Sequence, residues 1–250
     1  MPEAAKGLSH APVRLALHRK ELTTEAVFAW VHTAAYTALH QTCTGILHPH
    51  ELAQYERFTV PRRKTSFLLG RYVAKQALAV LLQEPVYANI EITPGVFTQP
   101  IVKFPTPEPV GVSITHAGEL ACALAFPQIH PMGIDVERLD PKSIQAMQSQ
   151  MLPAELRPEV LPQLSALARC TVLWTAKEAL SKVLKCGLMG PFALLETVEL
   201  RQDASGYVGY FRHFGQYKFH AWVLHDHVIT IVLPKWTTML VDLAALCVLA

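Results

Sequence analysis

Three acidic residues in this chain stand at spacings that could serve one metal ion. The run Gly133-Ile134-Asp135-Val136-Glu137 alternates apolar and acidic side chains. On a strand, Ile134 and Val136 share one face and Asp135 and Glu137 the other, with the two acids about 6.5–7 Å apart. That is within reach of a single ion. It is also the pattern of an edge strand with a solvated charged face. The third acid is Glu178. On a helix through 171–185, Val172, Leu173, Ala176, Leu180, Val183 and Leu184 form an apolar stripe. Trp174, Glu178 and Lys182 stand four apart on the opposite face. Glu178 and Lys182 read as a surface pair contributing about 0.2–0.5 kcal/mol. Alternatively, Glu178 is a third carboxylate for the Asp135/Glu137 site and Lys182 faces a phosphate.

Two further groups could bind an anion. After Arg62-Arg63-Lys64, the residues Lys64, Arg71 and Lys75 fall within about 40° of one line on a helix. They lie opposite an apolar face carrying Tyr72, Val73, Leu78 and Leu81. This is a docking surface for a small, multiply charged anion or a solvated basic face. His116, in Ser113-Ile114-Thr115-His116-Ala117-Gly118, ends a strand beside a turn, so it projects into a cleft or serves the structure. His213, His220, His225 and His227 gather near the C-terminus at no zinc-ligand spacing.

The elements that must position these residues repeat. A helix over 62–82 is followed by a strand over 89–93. A hairpin of 110–115 and 120–126 then turns at Ala117-Gly118-Glu119. Later, the helix over 171–185 is followed by strands over 197–201 and 207–212 and a hairpin of 217–224 and 227–233. Helix, then antiparallel strands, occurs twice. The reading is an α+β chain of two similar halves, 1–130 and 131–250, with the boundary in 127–132. The first 55 residues suggest a strand over 13–17 and a helix over 24–39. Prolines break regular structure over 100–109 and 153–162.

Composition bounds the rest. Of 250 residues, 51% are apolar and 17% charged, which excludes a disordered chain. A net charge of +2 excludes a nucleic-acid coat, so any anion site must come from local clustering. The five cysteines are scattered without a CxxC, so neither a zinc site nor a disulfide framework is expected. The first twenty residues lack the apolar core of a signal peptide. The longest apolar run, 243–250, is too short to span a bilayer and is expected to pack against the body. The expectation is a reduced, cytoplasmic protein with no membrane partner. Internal duplication points to a monomer.

Taken in order, these pieces resemble the Sfp-type 4′-phosphopantetheinyl transferases. The family patterns LLGR, S-H-x-G, GIDVE and WxxKEAxxK stand here as Leu68-Leu69-Gly70-Arg71, Thr115-His116-Ala117-Gly118, Gly133 to Glu137, and Trp174 to Lys182. A following Gly187-Leu188 also fits, and the resemblance spans 45–235. It implies a pseudo-dimer of α+β halves with the active site at their interface. It also implies a reaction: coenzyme A gives its phosphopantetheine arm to a serine of an apo acyl or peptidyl carrier protein or carrier domain, and 3′,5′-ADP leaves. Carriers of fatty-acid, polyketide and nonribosomal-peptide synthesis all present that serine.

The resemblance also implies roles. Asp135 and Glu137 hold Mg²⁺ or Mn²⁺. Glu178 ligates the ion or takes the serine proton, and Lys182 offsets charge on the pyrophosphate. Thr115 and His116 hydrogen-bond a coenzyme A phosphate, while Arg71, helped by Arg62 or Arg63, faces the 3′-phosphate. Three converging carboxylates would repel by about 4 kcal/mol per pair at 4 Å and an effective dielectric of 20, which a cation relieves. Three positions depart from the family: Gln54 and its neighbours replace basic residues upstream of Phe58, for which Arg57 and the Arg62–Lys64 run are read as compensating, and two others differ. Thr115 replaces its serine but keeps a hydroxyl, and Thr98-Gln99-Pro100 replaces Gly-Lys-Pro, removing a basic contact. Two rival readings remain: a non-catalytic carrier- or nucleotide-binding homologue, and a metal-dependent phosphohydrolase acting on coenzyme A. The Pro-interrupted segment 152–164 is read as a flexible contact for the carrier.

Overall fold

The computed structural model describes residues 10–187, 189–204 and 206–241. The expectation for the apolar run 243–250, the start of the N-terminal segment, Leu188 of the Gly187-Leu188 pair and Cys247 all lie outside the described residues. Two compact units divide the chain, the first over residues up to His130 together with Met239–Val241, the second from Pro131 to Thr238.

The first unit opens with β1 (Val13–Arg19) and β2 (Leu22–His32). Short helices α1 (Tyr36–Gln41), α2 (Cys43–Ile46) and α3 (Pro49–Glu56) lead to the long α4 (Pro61–Leu82). Strands β3 (Glu91–Pro94), β4 (Pro100–Lys103), β5 (Val110–Ala117) and β6 (Leu120–Pro127) follow. Where a helix was expected over 24–39, the chain forms β2 instead. Ala26–Val31 is an unbroken buried run, because β2 lies between β1 and β6 in the sheet and carries α4 on one side. A strand buried on both faces has no polar alternation to reveal it. The proline-rich stretch is also partly ordered: Pro100 pairs with Pro94 and β4 forms a small ladder with β3.

In the second unit, β7 (Gly133–Arg138) precedes α5 (Ile144–Gln148) and the long α6 (Ala166–Leu184). Then come β8 (Thr197–Asp203), β9 (Gly206–Phe211), β10 (Tyr217–Leu224) and β11 (His227–Pro234); the last strand, β12 (Thr238–Leu240), belongs to the first unit's sheet, beside β1. The sheet orders are β12-β1-β2-β6-β5 and β7-β11-β10-β9-β8. The same arrangement occurs in each. α4 packs on β2 and β6, with β5 next in line; α6 packs on β7 and β11, with β10 next in line. The fold is α+β with two similar halves.

The halves share a second device that the sequence hides. Lys75 on α4 is fully buried, ion-paired to Glu51, and donates to Ile46 O at 2.9 Å. Lys177 on α6 is likewise fully buried, with Glu155 Oε2 at 2.8 Å and Phe192 O at 3.3 Å. Each glutamate accepts a backbone N–H three residues upstream, from His48 or Leu152, and another from a strand or its edge, Ile92 or Thr197. Lys75 therefore does not belong to an exposed basic stripe, because its charge is spent on Glu51. Nor is 152–164 a loose contact segment: Glu155 and Leu161 are buried in the core. Among the described residues, no helix is long and apolar enough to cross a membrane.

Candidate functional site

β7 is the edge strand of its sheet, yet its acidic face is not a solvated one. Asp135 is 2% exposed and Glu137 is half-buried. The cause is α6, which lies directly across the strand. A Cβ at Gly133 would come 2.3 Å from Ala179 O, so only glycine lets helix and strand approach this closely. The approach brings Glu178, the neighbour of Ala179, to the acidic pair. Asp135, Glu137 and Glu178 each offer a carboxylate oxygen, and these lie within 4.8 Å of one another. A second tie fixes the helix from behind. Thr175 on α6 shares a 2.6 Å hydroxyl–hydroxyl hydrogen bond with Thr230 on β11, the residue paired with Asp135 across the ladder.

The electrostatics follow from this crowding. Burial, then the charge of Asp135, pushes Glu178 up to about 7, with Lys182 pulling the other way. Burial and Asp135 likewise push Glu137 up to about 7, with the neighbouring Trp174 indole and the charge of Lys182 pulling the other way. Lys182 does not pair with Glu178 along the helix surface. It reaches across to β7, donating to Asp135 Oδ1 at 2.7 Å and Ile134 O at 3.0 Å. Trp174 stacks on Phe192, with ring centroids 5.0 Å apart and planes 10° from parallel. One lysine beside three carboxylates leaves excess negative charge. An all-oxygen donor set of this kind suits a hard divalent cation that keeps part of its water shell.

The anion-binding candidates lie in the first unit. A cleft of about 400 Å³ is lined by Gln54, Phe58, Arg63, Ser66, Phe67, Gly70, Arg71, Pro94, Thr98, Pro100, Ile114 and His116. His116 is exposed, and its ring sits over Gly70, where a Cβ would meet it at 3.0 Å. Its Nε2–H donates to Ser66 O at 3.0 Å, since a carbonyl can only accept. The arginines differ. Arg71 is largely buried, with its guanidinium over Phe67, its Nε 3.1 Å from Glu51 Oε1, and Nη2 donating to Ile92 O. Burial lowers its pKa, and Glu51 opposes that effect. Arg63 is exposed and lies over Phe58 at 4.7 Å.

Of the residues singled out from sequence, the structure brings Asp135, Glu137, Glu178 and Lys182 together in one unit. It brings Arg71, Arg63 and His116 together in the other. Two do not join them. Arg62 does not line the cleft. Thr115 is 5% exposed, because strand alternation turns it to the face opposite His116. Ser66 and Thr230 gave no sequence signal. Each is an ordinary residue whose place depends on partners distant in the chain.

Residues 131–232 match the model of the 4′-phosphopantetheinyl transferase superfamily. This is the segment that contains the acidic cluster, and the resemblance read from the motifs holds at that level. No curated protein matches the chain. Among solved structures, a holo-(acyl-carrier-protein) synthase from Bacillus anthracis in complex with CoA (3′,5′-ADP) is 22% identical, over 46% of this chain and 94% of that one, at a TM-score of 0.36. The Helicobacter pylori holo-[acyl-carrier-protein] synthase in complex with coenzyme A is 17% identical, over 41% and 98%, at 0.35. Holo-ACP-synthase from Plasmodium yoelii is 16% identical, over 47% and 94%, at 0.34.

Proposed function

From the superfamily match over 131–232, we propose that this chain transfers the 4′-phosphopantetheine arm of coenzyme A to a serine hydroxyl of an apo acyl or peptidyl carrier protein. The single observation that carries the proposal is the convergence of Asp135, Glu137 and Glu178 under Lys182. Those three carboxylates would hold Mg²⁺ or Mn²⁺. Bound there, the ion supplies Lewis-acid stabilisation of the charge that gathers as the phosphoanhydride breaks.

The chain's own residues account for the remaining work. The serine oxygen forms a bond to the pantetheine-bearing phosphorus as that phosphorus parts from the bridging oxygen, which leaves on 3′,5′-ADP. The serine proton needs an acceptor. Where Glu178 stays outside the cation's shell, it receives the proton, directly or through a water. If Glu178 instead completes the cation site, the water is the acceptor. Lys182 counters charge on the leaving group while holding Asp135 in place. In the first unit, Arg71 and Arg63 offer guanidinium donors suited to phosphate. His116, with Nε2–H committed to Ser66 O, would donate to a phosphate through Nδ1–H as the doubly protonated ring.

The test is mass spectrometry of an apo carrier protein incubated with this chain, coenzyme A and Mg²⁺. Transfer adds one phosphopantetheine group to the carrier. Release of 3′,5′-ADP at a rate indifferent to carrier would instead make the protein a phosphohydrolase. Coenzyme A binding with no product in either assay would make it a non-catalytic homologue.

A further inference from the structure

A second metal-ligand cluster lies in the first unit, and the transferase reading does not use it. His48 and His50 flank Pro49 at the entry to α3, and Glu91 is the first residue of β3. His48, His50 and Glu91 each present a ligand atom within 4.8 Å of the others. His50 Nδ1 is already 2.9 Å from Glu91 Oε1, and the two imidazole rings stand edge to face with centroids 5.0 Å apart. The His50 side chain is 78% exposed while that of Glu91 is 14% exposed, so the carboxylate forms a floor and the histidine an open rim. His48 is the N-cap of α3: its ring accepts from His50 N–H at 3.3 Å within a capping box shared with Glu51.

We propose that His48, His50 and Glu91 form a Zn²⁺ site, with two imidazole nitrogens and one carboxylate oxygen as ligands and water completing the shell. The donor set differs in kind from the all-oxygen cluster of the second unit. Two imidazoles with one carboxylate favour a borderline-soft ion such as Zn²⁺, whereas carboxylates alone favour Mg²⁺. Two features oppose binding. Lys103 faces Glu91 across the β3–β4 ladder, and the N-terminal end of α3 carries partial positive charge. Both are weak beside three direct ligands. The ion would fasten the β3–β4 hairpin to α3. That hairpin carries Pro94, Thr98 and Pro100 of the basic cleft.

The experiment titrates Zn²⁺ into metal-stripped full-length protein against a chromophoric chelator, with thermal melts alongside. His50→Ala and Glu91→Gln are the main variants, because His50 is largely exposed and Glu91→Gln keeps the side chain's volume. Each is expected to weaken zinc binding at least about tenfold. Each should also remove the zinc-induced rise in melting temperature, read against that variant's own metal-free melt. Glu178→Gln is expected to keep zinc binding, and millimolar Mg²⁺ should not displace the ion. Undiminished affinity in both His50→Ala and Glu91→Gln overturns the proposal. So does zinc binding that is lost in Glu178→Gln alone, which would assign the ion to the acidic cluster. Neither outcome counts against the transferase reading, on which this site does not rest.

Discussion

At the scale of single residues, the acidic cluster is held together against its own charge. Asp135 has Lys182 at 2.7 Å, whereas Glu137 and Glu178 answer their burial mainly by moving up to about 7. Asp135→Asn and Glu178→Gln change charge with almost no change in volume. Each is expected to lower transfer to a carrier serine at least about 10²-fold without unfolding the protein. Steady-state rates beside a thermal melt check this, and a near-normal rate in either variant would remove that residue from the reaction. The same shifts set a pH dependence. A carboxylate whose folded pKa lies above its unfolded value favours the fold below the unfolded pKa, near 4.5. That contribution is lost as pH rises through about 7. The cation-free protein should therefore melt lower at pH 8 than at pH 5.5 through this cluster, and Mg²⁺ should restore part of the loss. Glu178→Gln should flatten the cation-free profile.

At the scale of elements, the site depends on how closely α6 lies on β7. Gly133→Ala places a methyl against Ala179 O and Val183, and the clash with backbone leaves only displacement of the helix. Overpacking of this kind costs about 1–3 kcal/mol, read as a lower denaturant midpoint, and activity should fall with it as Glu178 is carried away from Asp135. The buried ion pairs make a separate prediction. Lys177→Met leaves Glu155 charged in the core and should cost about 3–5 kcal/mol, whereas Glu155→Gln combined with Lys177→Met should recover much of that. Equal losses in the single and double variants would show that the charge is not the cause. These elements also mark what could be read from sequence. Asp135, Glu137 and Glu178 were legible because strand alternation and helical spacing each place them on a definite face. The ion-pair partners of Lys75 and Lys177 were not, although helical geometry already turned Lys177 about 100° away from Glu178. A lysine in a helix reads as exposed until its partner is known, and Glu51 and Glu155 lie more than twenty residues away in loops or at a helix start. β2 was missed for a related reason: α4, which packs on it, comes from far along the chain, and the buried run Ala26–Val31 carries no alternation of its own.

At the scale of the whole chain, the duplication is of scaffold and not of site. α4 over β2-β6-β5 and α6 over β7-β11-β10 repeat the same order, down to the buried lysine–glutamate pair. Yet β2 carries Ala26 to Val31 where β7 carries Asp135 and Glu137. The scaffold therefore sets stability in both halves, while the acid cluster burdens only one. A group remote from that cluster gives a separate handle on overall stability. His220 on β10 stacks near Trp222, and its pKa is lowered to about 4 by burial first, then by the charge of Lys218. The neutral ring is the folded form. Above about 6.5, the folded and unfolded states both carry it neutral, and no stability is lost. As pH falls from 6.5 towards 4, the unfolded chain takes up a proton that the folded chain refuses, and stability drops by at most about 3 kcal/mol. His220→Gln cannot take up that proton. Its denaturant midpoint should stay closer to the neutral-pH value between pH 6.5 and 4 than that of the parent protein, with the two falling in parallel below pH 4. Parallel curves across the whole range would mean that His220 does not set the acid limb.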